Sequence, residues 1–591
     1  MAHRLTIPFF LAGILSACGS TPIEPTDAAV DAIDDAPIDA GCTLVPGDLP
    51  GERSVAAGAL LPNLTFTTAS GSVALVEHHV PCAPRAELIV IRSVAAWSGH
   101  SRWHVAHTSR LLAHPERARL HFIDVLVEGV DALPARTEDL ADWAARYDVM
   151  PDALAIDPAE TIGALGEGGS RLPAVALIDA RTLRLVRLLF VPRAGEIEHA
   201  IDTTLASLDA TTPPGPYTPP LTDARFSEDE WDLIMGMRYL AAAPADLSDA
   251  HADDAAPLGE ALFADGGLSP AGIGCASCHQ SALGFSDGRP VARGVDDVTR
   301  NSPTLYAAAY VRWPFWDGRV DSLWGQALGP IENPREMGSS RLFVAHRVAS
   351  MHGAAYEATF GAMPDLSDAA RFPSAGAPGD AAWEAMSATD RDVVTRILVN
   401  VGKAIESYER TLSPPHTRFD DYLAGNVDAL TTTERDGLRE YVREGCADCH
   451  YGPAMSDSAF HAIGMPGLGT DASLDVGRAA AFAPLSSSSF RRQGAYSDDT
   501  SAADPLAGLT SFDGAMIGAF RTPTLRALSA TGPYGHAGTF TTVRDVVLHY
   551  ARIRMPHAAD PHVAGGLDEH LVGFDDIASR VDPLTAFLMT L

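Results

Sequence analysis

Two stretches of this chain, Cys275-Ala276-Ser277-Cys278-His279 and Cys446-Ala447-Asp448-Cys449-His450, share the pattern C-x-x-C-H. This pattern is the attachment signature of c-type haem, in which two thiols bond to the porphyrin and the adjacent histidine ligates the iron. A chain with 7 Cys and 21 His among 591 residues rarely contains it by chance. The repeat therefore predicts two covalently bound haems, with His279 and His450 as iron ligands.

The composition limits the class of protein. At 591 residues the chain is long enough for three or four domains, each with its own core. It has 43 basic and 76 acidic residues, a formal net charge of −33. Such a polyanion is a poor nucleic-acid binder, so we expect small molecules and neutral or basic proteins as partners.

The first residues have the pattern of an export signal. His3 and Arg4 precede an apolar stretch from Leu5 to Leu15 that is too short to span a bilayer. It ends in Leu15-Ser16-Ala17-Cys18, which resembles the bacterial lipobox, in which the cysteine is lipidated. We therefore expect a signal peptide over 1–18 and a protein anchored through Cys18 to the periplasmic face of a bacterial membrane. The residue after Cys18 is Gly19 rather than the Asp that acts as a retention signal in some bacteria, and this favours the outer membrane.

The remaining cysteines are a candidate disulfide pair. Cys18 is assigned to lipid and four further cysteines to the haems, which leaves Cys42 and Cys82. A disulfide between them fits an oxidising compartment. Two unpaired thiols are the alternative.

Two breaks divide the chain. The residues from Gly19 to about Gly41 are rich in Asp, Ala and Pro and include no basic residue, which predicts a disordered tether. The stretch from Thr211 to Pro220 contains five prolines and reads as a stiff spacer. The predicted organisation is signal peptide 1–18, tether 19–46, first domain 47–208, linker 209–224, first haem domain 225–430 and second haem domain 431–591.

The first domain alternates strand and helix patterns. Buried strands are predicted at Glu87–Val94, Leu120–Val127 and Ala174–Ile178, with a helix around Val105–Ala113 and Leu172-Pro173 before the last strand. This order resembles the α/β thioredoxin-like fold of the peroxiredoxin and TlpA type. In that family W-C-x-x-C opens the first helix, and a cis-proline faces it.

This domain departs from the family at its reactive site. Trp97-Ser98-Gly99-His100-Ser101 has serines where both cysteines would stand. Without a thiolate the domain cannot exchange disulfides, so we expect a docking or scaffolding module. His100 is interpreted as a surface-loop residue.

From about Leu258 to Leu591 the chain resembles the bacterial di-haem cytochrome c peroxidase family, which includes the maturation enzyme MauG. The resemblance implies two mainly α-helical class I cytochrome c-type domains. The motifs that carry it, besides the two haem motifs, are Leu258–Phe263, Arg300–Leu305, Phe315–Arg319, Gly329–Met337, Phe520–Arg526 and Thr531–His536.

The resemblance implies roles at the first haem, where His279 is the only protein ligand. Glu336 occupies the position of the carboxylate that moves protons between the peroxide oxygens. Gln326 matches the second distal polar residue, and Pro330 shapes the same pocket. Trp316 matches the tryptophan between the haems, an electron relay. Asn301, with the backbone carbonyls of Thr531 and Pro533, matches a calcium site between the haems.

Two departures from the peroxidases concern the haem ligands. The stretch Gln280–Thr299 contains no histidine that could block the first iron, which predicts five-coordinate iron without reductive activation. Fourteen residues after His536, where the peroxidases have Met, stands Tyr550, and Tyr is also what MauG uses. A phenolate ligand stabilises ferric iron and lowers the potential. Met555, His549 and His557 are the rival ligands.

These residues predict an enzyme that reduces hydrogen peroxide to water, with electrons from a small cytochrome or cupredoxin. The alternative is a MauG-like enzyme that uses peroxide to oxidise Trp or Tyr residues of a partner protein. A third hypothesis is a non-catalytic electron carrier with two haems. His461 matches a family motif behind the second haem and is interpreted as structural.

Overall fold

The computed structural model describes most residues between 57 and 591. Residues 1–56 lie outside it, and with them the signal peptide, the tether, Cys18 and Cys42. The longer internal gaps are 96–110, 129–133, 144–151, 163–171, 216–222, 240–247, 468–474, 501–505, 507–510, 554–565 and 572–576, with further gaps of one to three residues.

A seven-stranded mixed sheet forms the first domain. Its strands are β1 (Thr65–Thr68), β2 (Gly71–Ala74), β3 (Leu88–Ala95), β4 (Leu120–Glu128), β5 (Ala153–Ile156), β6 (Ala174–Asp179) and β7 (Arg184–Phe190), in the order β2-β1-β5-β4-β3-β6-β7. β4 pairs in parallel with β3 and β5, and the other pairs are antiparallel. The Leu172–Pro173 peptide before β6 is cis. These features confirm the thioredoxin-like fold.

The centre of the sheet is buried on both faces. Every residue of β3 is buried, as expected for a strand that carries a continuous apolar run. Its one cation, Arg92, faces Asp124 in the parallel register with β4, at 2.6 Å between Nη2 and Oδ2. A buried charge needs such a partner, because solvation by water is lost. Helix α1 (Glu196–Leu208) covers one face through Ile197, Ile201 and Leu205.

The rest of the chain is mainly helical. The helices are α2 (Glu228–Gly236), α3 (Ala256–Ala264), α4 (Cys275–Cys278), α5 (Leu323–Glu332), α6 (Arg341–Met351), α7 (Gly353–Phe360), α8 (Ala381–Glu384), α9 (Ala388–Arg410), α10 (Arg418–Leu423), α11 (Thr432–Arg443), α12 (Phe482–Ser487), α13 (Val543–Arg552) and α14 (Ile577–Leu588). Side-chain caps start several of them: Ser322 caps α5, Ser387 caps α9 and Thr431 caps α11. β8 (Phe460–His461) and β9 (Phe520–Arg521) form a small antiparallel ladder.

Each haem motif has its own apolar core with a close helix crossing. In the first core, α3 crosses α9 at Gly259, where a Cβ atom would lie 1.8 Å from the Ala404 carbonyl oxygen. In the second core, α11 crosses α14 at Gly437, where a Cβ atom would lie 2.0 Å from the Pro583 carbonyl oxygen. Only glycine allows backbones to approach this closely. The two haem regions therefore share one helical arrangement.

The second core also includes residues that precede the first haem motif. Trp231 and Ile234 of α2, and Phe419 of α10, are buried among residues of α11 and α14. The Arg526 side chain donates a hydrogen bond to the Met237 carbonyl and pairs with Asp420 at 2.9 Å. The core around the second haem motif thus contains residues from both sides of the predicted domain boundary at 430.

None of the helices in the described part of the chain has the length and apolar character needed to cross a membrane.

Candidate haem sites

The first C-x-x-C-H motif folds as a single helical turn. α4 spans its two cysteines, and the His279 amide then donates a hydrogen bond to the Cys275 carbonyl at 2.9 Å. The His279 ring donates from Nδ1 to the Phe285 carbonyl at 3.0 Å. This bond fixes the ring and leaves Nε2 available as a metal ligand. Both thiols, Cys275 and Cys278, are free.

The second motif repeats this geometry. Residues Cys446–Asp448 form one 3₁₀ turn, and the His450 amide donates to the Cys446 carbonyl at 2.9 Å. The His450 ring donates from Nδ1 to the Met455 carbonyl at 3.1 Å. Cys446 and Cys449 are free thiols. The two motifs therefore present the same set of groups, two thiols and one ring nitrogen, to a cavity.

Burial sets the protonation of these groups. It lowers the pKa of His279 and of His450, so both imidazoles are neutral, the form that ligates a metal. Burial also raises the pKa of the Cys275 and Cys446 thiols to about 12. Both thiols are therefore protonated at neutral pH.

The first cavity gathers the polar residues predicted for its haem. His279, Gln326, Pro330 and Glu336 all line it, together with Arg319. α5 presents Gln326 and Pro330, and the turn after α5 presents Glu336. The Asn333 amide donates to Oε1 of Glu336 at 2.8 Å, a contact that the sequence did not predict although Asn333 lies in the motif Gly329–Met337. Burial raises the pKa of Glu336, and Arg319 opposes this shift.

A loop over residues 292–298 holds the backbone of Glu336. The Val295 amide donates to the Glu336 carbonyl at 2.8 Å, and the Asp296 amide donates to the Arg335 carbonyl at 3.0 Å. Gly294 makes this approach possible, because a Cβ atom there would lie 2.2 Å from the Glu336 carbonyl oxygen. This loop belongs to the stretch that lacks a histidine. No sequence signal pointed to this contact.

Trp316 separates the two cavities. It lines both, is 8% exposed and donates from Nε1 to the Asn301 carbonyl at 3.0 Å. Five further residues line both cavities: Asn301, Pro303, Thr304, Arg521 and Thr524. The wall between the cavities is thus one layer of residues.

The second cavity contains Tyr550, in a different environment from that of Glu336. Tyr550, on α13, lines this cavity together with His450. Its neighbour His549 donates from Nε2 to the Ile463 carbonyl at 2.8 Å. Burial, and then the Cys449 and Cys446 thiols, raise the pKa of Tyr550 well above its ordinary value. Met555 and His557 lie outside the described residues.

Sequence similarity relates the chain to known proteins. The family model of di-haem cytochrome c peroxidase matches residues 253–428. Cytochrome c551 peroxidase of Pseudomonas aeruginosa is 31% identical over 298 residues, which are 49% of this chain and 69% of that protein.

The chain belongs to the di-haem cytochrome c peroxidase family. Methylamine utilization protein MauG of Methylorubrum extorquens is 30% identical over 301 residues, which are 50% of this chain and 68% of that protein. The crystal structure of the diheme peroxidase BthA from Burkholderia thailandensis is 23% identical, covers 60% of this chain and 89% of its own, and has a TM-score of 0.43.

Membership of the di-haem peroxidase family implies two c-type haems, and the residues present fit them. Each cavity offers two free thiols beside a neutral imidazole whose Nδ1 is already bonded. Those are the donors that covalent c-type attachment and axial ligation require.

Asn301 lies where the two cavities of this peroxidase-family chain meet. Its Nδ2 contacts the Arg289 carbonyl at 2.8 Å and the Pro533 carbonyl at 3.4 Å, and Thr531 and Pro533 line the second cavity. It is thus the Asn301 amide nitrogen, a hydrogen-bond donor, that faces these two carbonyls.

His461 is held on both sides. Its Nδ1 contacts Asp568 at 2.6 Å and its Nε2 contacts Asp457 at 2.9 Å. The β8–β9 ladder pairs its backbone with Phe520, the residue before Arg521 of the wall. No local pattern pointed to either carboxylate partner, and the two lie 4 and 107 residues away along the chain.

Three predictions concern residues that the structure does not describe in full. Cys82 is disulfide-bonded, but Cys42 lies outside the described residues, so that pairing stays a prediction. The stretch Trp97–Ser101, with His100, and most of the helix expected at Val105–Ala113 also lie outside them.

Proposed function

We propose that the chain reduces hydrogen peroxide to water with electrons from an external donor. The observation that carries this proposal is the first cavity, where a neutral His279 and a half-buried Glu336 line one space. The reaction takes two electrons and two protons for each peroxide and gives two waters. The donor supplies the electrons, and solvent supplies the protons.

The haem at His279, when bound, supplies an iron that binds peroxide and accepts its oxidising equivalents. The chain's own part is proton transfer. As a carboxylate, Glu336 accepts the proton from one peroxide oxygen and then returns it to the other. A raised pKa suits the first step, because it makes the carboxylate a stronger base. Asn333 holds Oε1 in place, and Gln326 orients the peroxide by hydrogen bonding.

Trp316 carries electrons between the cavities in this proposal. Its indole lines both of them and is held by the bond from Nε1 to the Asn301 carbonyl. Substrate oxidation at the second site and peroxide chemistry at the first are thereby linked through one side chain.

Tyr550 is the residue that we propose would ligate the second haem in addition to His450. Its ring lies in the second cavity, whereas His549 is engaged by the Ile463 carbonyl. A phenolate ligand stabilises ferric iron, so this site would store oxidising equivalents rather than bind peroxide.

Asn301 and the carbonyls of Thr531 and Pro533 are the proposed Ca²⁺ ligands at the wall.

A second candidate function is oxidation of a Trp or Tyr residue in a partner protein. Tyr550 in the second cavity and the absence of histidine from Gln280–Thr299 favour it. Reduction of peroxide to water instead requires a small cytochrome or a cupredoxin as the electron donor. In either case we propose a periplasmic enzyme that is lipid-anchored at Cys18, with the thioredoxin-like domain as a docking module.

The proposal is tested on the ferric holoprotein with both haems attached. We expect a high-spin visible and EPR signal from the first haem that disappears when hydrogen peroxide is added. A spectrum that peroxide leaves unchanged would establish the non-catalytic electron carrier instead.

The donor is identified in a second experiment. Peroxide is added to the enzyme with a reduced small cytochrome or cupredoxin, and separately with candidate periplasmic proteins. Rapid oxidation of the cytochrome or cupredoxin supports peroxide detoxification. A mass change at an aromatic residue of a protein partner supports the MauG-like function.

A further inference from the structure

Glu409 is a buried carboxyl group in the first cavity for which the mechanism above has no use. It lies near the end of α9, lines the cavity with Cys275 and His279, and is 4% exposed. Its Oε2 has no hydrogen-bond partner among the residues that the structure describes. An unsatisfied buried carboxyl group is destabilising, so its presence needs a reason.

The other buried charges on the same face of α9 do have partners. Lys403 and Glu406 precede Glu409 at intervals of three residues and are 3% and 1% exposed. Nζ of Lys403 pairs with Asp498 at 2.6 Å, and Oε2 of Glu406 accepts the Trp324 amide at 2.8 Å. The packing of the helix therefore explains why Lys403 and Glu406 are buried. It does not explain the burial of Glu409.

Glu409 and Glu336 lie at different ends of the haem motif. After burial, the largest influence that raises the pKa of Cys275 is the carboxylate of Glu409. The pKa of Cys278 is raised first by burial, then by Asp287 and then by Glu336. The first cavity thus has two acidic groups, one beside each attachment cysteine.

We propose that Glu409 is a proton-exchanging carboxyl group coupled to the charge of the first haem, a role that rests on the proposed haem in this cavity. When that haem passes one electron to an acceptor, the cavity gains one positive charge. Release of one proton from the Glu409 carboxyl to solvent leaves a carboxylate and restores the charge. Return of the electron takes the proton back.

The environment of Glu409 supports this exchange. Burial raises its pKa to about 8, so the group is a neutral acid at neutral pH and ionises slightly above it. A positive charge nearby favours the carboxylate and lowers that pKa. Oxidation of the haem therefore promotes release of the proton near physiological pH.

Other groups around Glu409 must be kept apart from it in a test. Cys275 on α4 no longer titrates once it is bonded to haem, and Tyr408 on α9 has a pKa raised above its ordinary value by burial. Glu336 and Arg319 line the cavity farther along, and Asp287 lies beside Cys278. Because the pKa of Glu336 is also raised, its contribution has to be removed.

The experiment measures the midpoint potential of the first haem from pH 5.5 to 9.5 in the holoprotein. The parent is the variant Glu336→Gln, from which the contribution of Glu336 has been removed. It is compared with the double variant Glu336→Gln/Glu409→Gln and with the matched control Glu336→Gln/Tyr408→Phe. Covalent attachment of two haems per chain shows that each variant is folded. We expect the potential to fall with rising pH around pH 8 in the parent and the control, and this dependence to be lost with Glu409→Gln.

The sign follows from the charge. Above its pKa the Glu409 carboxylate stabilises the oxidised haem, so the parent has a lower potential than Glu336→Gln/Glu409→Gln at pH 9 and the same potential at pH 6. Equal pH dependence in the two would overturn the proposal. If the double variant does not fold, redox difference infrared spectra of Glu336→Gln, with and without ¹³C-labelled Glu, provide the test. Absence of a protonated carboxyl band that shifts with labelling would overturn it.

This outcome is independent of the proposed peroxidase activity. A pH-dependent potential in a holoprotein that does not react with peroxide would contradict the function but not the role of Glu409. Normal reaction with peroxide and a potential that does not depend on Glu409 would contradict only this inference.

Discussion

At the scale of single residues, two identical motifs have different surroundings. Each supplies two thiols and a histidine whose Nδ1 donates to a backbone carbonyl. Glu336 lines only the first cavity and Tyr550 only the second. Because the attachment groups are equal, the two cavities differ in these two side chains.

Replacement of Glu336 tests its role in proton transfer. We expect Glu336→Gln to slow the reaction of the holoenzyme with peroxide by about 10²- to 10⁴-fold, because an amide cannot accept the proton. Stopped-flow spectroscopy of the ferric protein measures this rate. Glu260→Gln is a matched control, since Glu260 is exposed on α3.

The pH dependence of the same rate follows from the raised pKa of Glu336. The carboxylate is the active form, so the rate should be full above that pKa and should fall as the pH drops through it. The fall should begin at a higher pH than an ordinary carboxyl group would give. A rate that is flat down to the ordinary Glu range would contradict this role.

Replacement of Tyr550 tests the second haem. With Tyr550→Met we expect the potential of that haem to rise and a near-infrared His–Met charge-transfer band to form, because a thioether stabilises ferrous iron. Tyr534→Phe is the control, since Tyr534 lines the same cavity and bonds the Leu528 carbonyl. A His–Met band already present in the wild type would exclude Tyr550 as ligand.

At the scale of elements, short segments hold the functional side chains in place. The loop 292–298 pairs with residues 335 and 336 through two backbone hydrogen bonds. The β8–β9 ladder pairs His461 with Phe520, the residue before Arg521. In both places a contact between segments distant in sequence sets the position of a residue in a cavity.

The contact between the loop 292–298 and Glu336 predicts that one methyl group added at Gly294 slows the reaction with peroxide. Gly294→Ala would bring a Cβ atom to 2.2 Å from the Glu336 carbonyl oxygen, so the segment with Glu336 must move. We expect about 10²-fold slower reaction with peroxide, since misplacement by about 1 Å can cost that much. Covalent haem content should not change.

The control for Gly294→Ala is Gly353→Ala. A Cβ atom at Gly353 meets nothing within 4 Å. Equal rates in wild type and Gly294→Ala would show that the loop does not position Glu336.

At the scale of the whole molecule, one layer of residues joins two cores of the same design. Gly259 and Gly437 mark equivalent helix crossings in the two cores. Trp316 and Asn301 stand in the wall between the cavities. In the proposed mechanism, this wall would couple peroxide chemistry at one haem to electron storage at the other.

Calcium removal tests this wall as a unit. If Asn301, Thr531 and Pro533 bind Ca²⁺, chelation should slow electron exchange between the haems and leave both covalently attached. The measurement is the rate at which the second haem changes spectrum after peroxide is added, with and without chelator. Restoration by added Ca²⁺ but not by Mg²⁺ is expected, and an unchanged rate with no metal released would contradict the site.

The sequence predicted much of this fold because the relevant signals are local. The strands at 87–94, 120–127 and 174–178 were found within one residue of β3, β4 and β6, since continuous apolar runs mark buried strands. The cis-proline before β6 is also confirmed. By contrast, α2 packs in the core of the second haem motif, about 200 residues away along the chain, and no local pattern encodes that choice.

The sequence alone determined that two haems are attached, because thiols at i and i+3 and a histidine at i+4 form a site within one turn. It also pointed to Glu336 and Tyr550 through family motifs. Only the tertiary structure decided which residues share a cavity: that Trp316 lines both, that Gly294 meets Glu336 and that Glu409 is buried with an unsatisfied Oε2 among the described residues. The physical reason is that each cavity is assembled from segments far apart in the chain, and burial, which sets pKa values and contacts, exists only after they pack together.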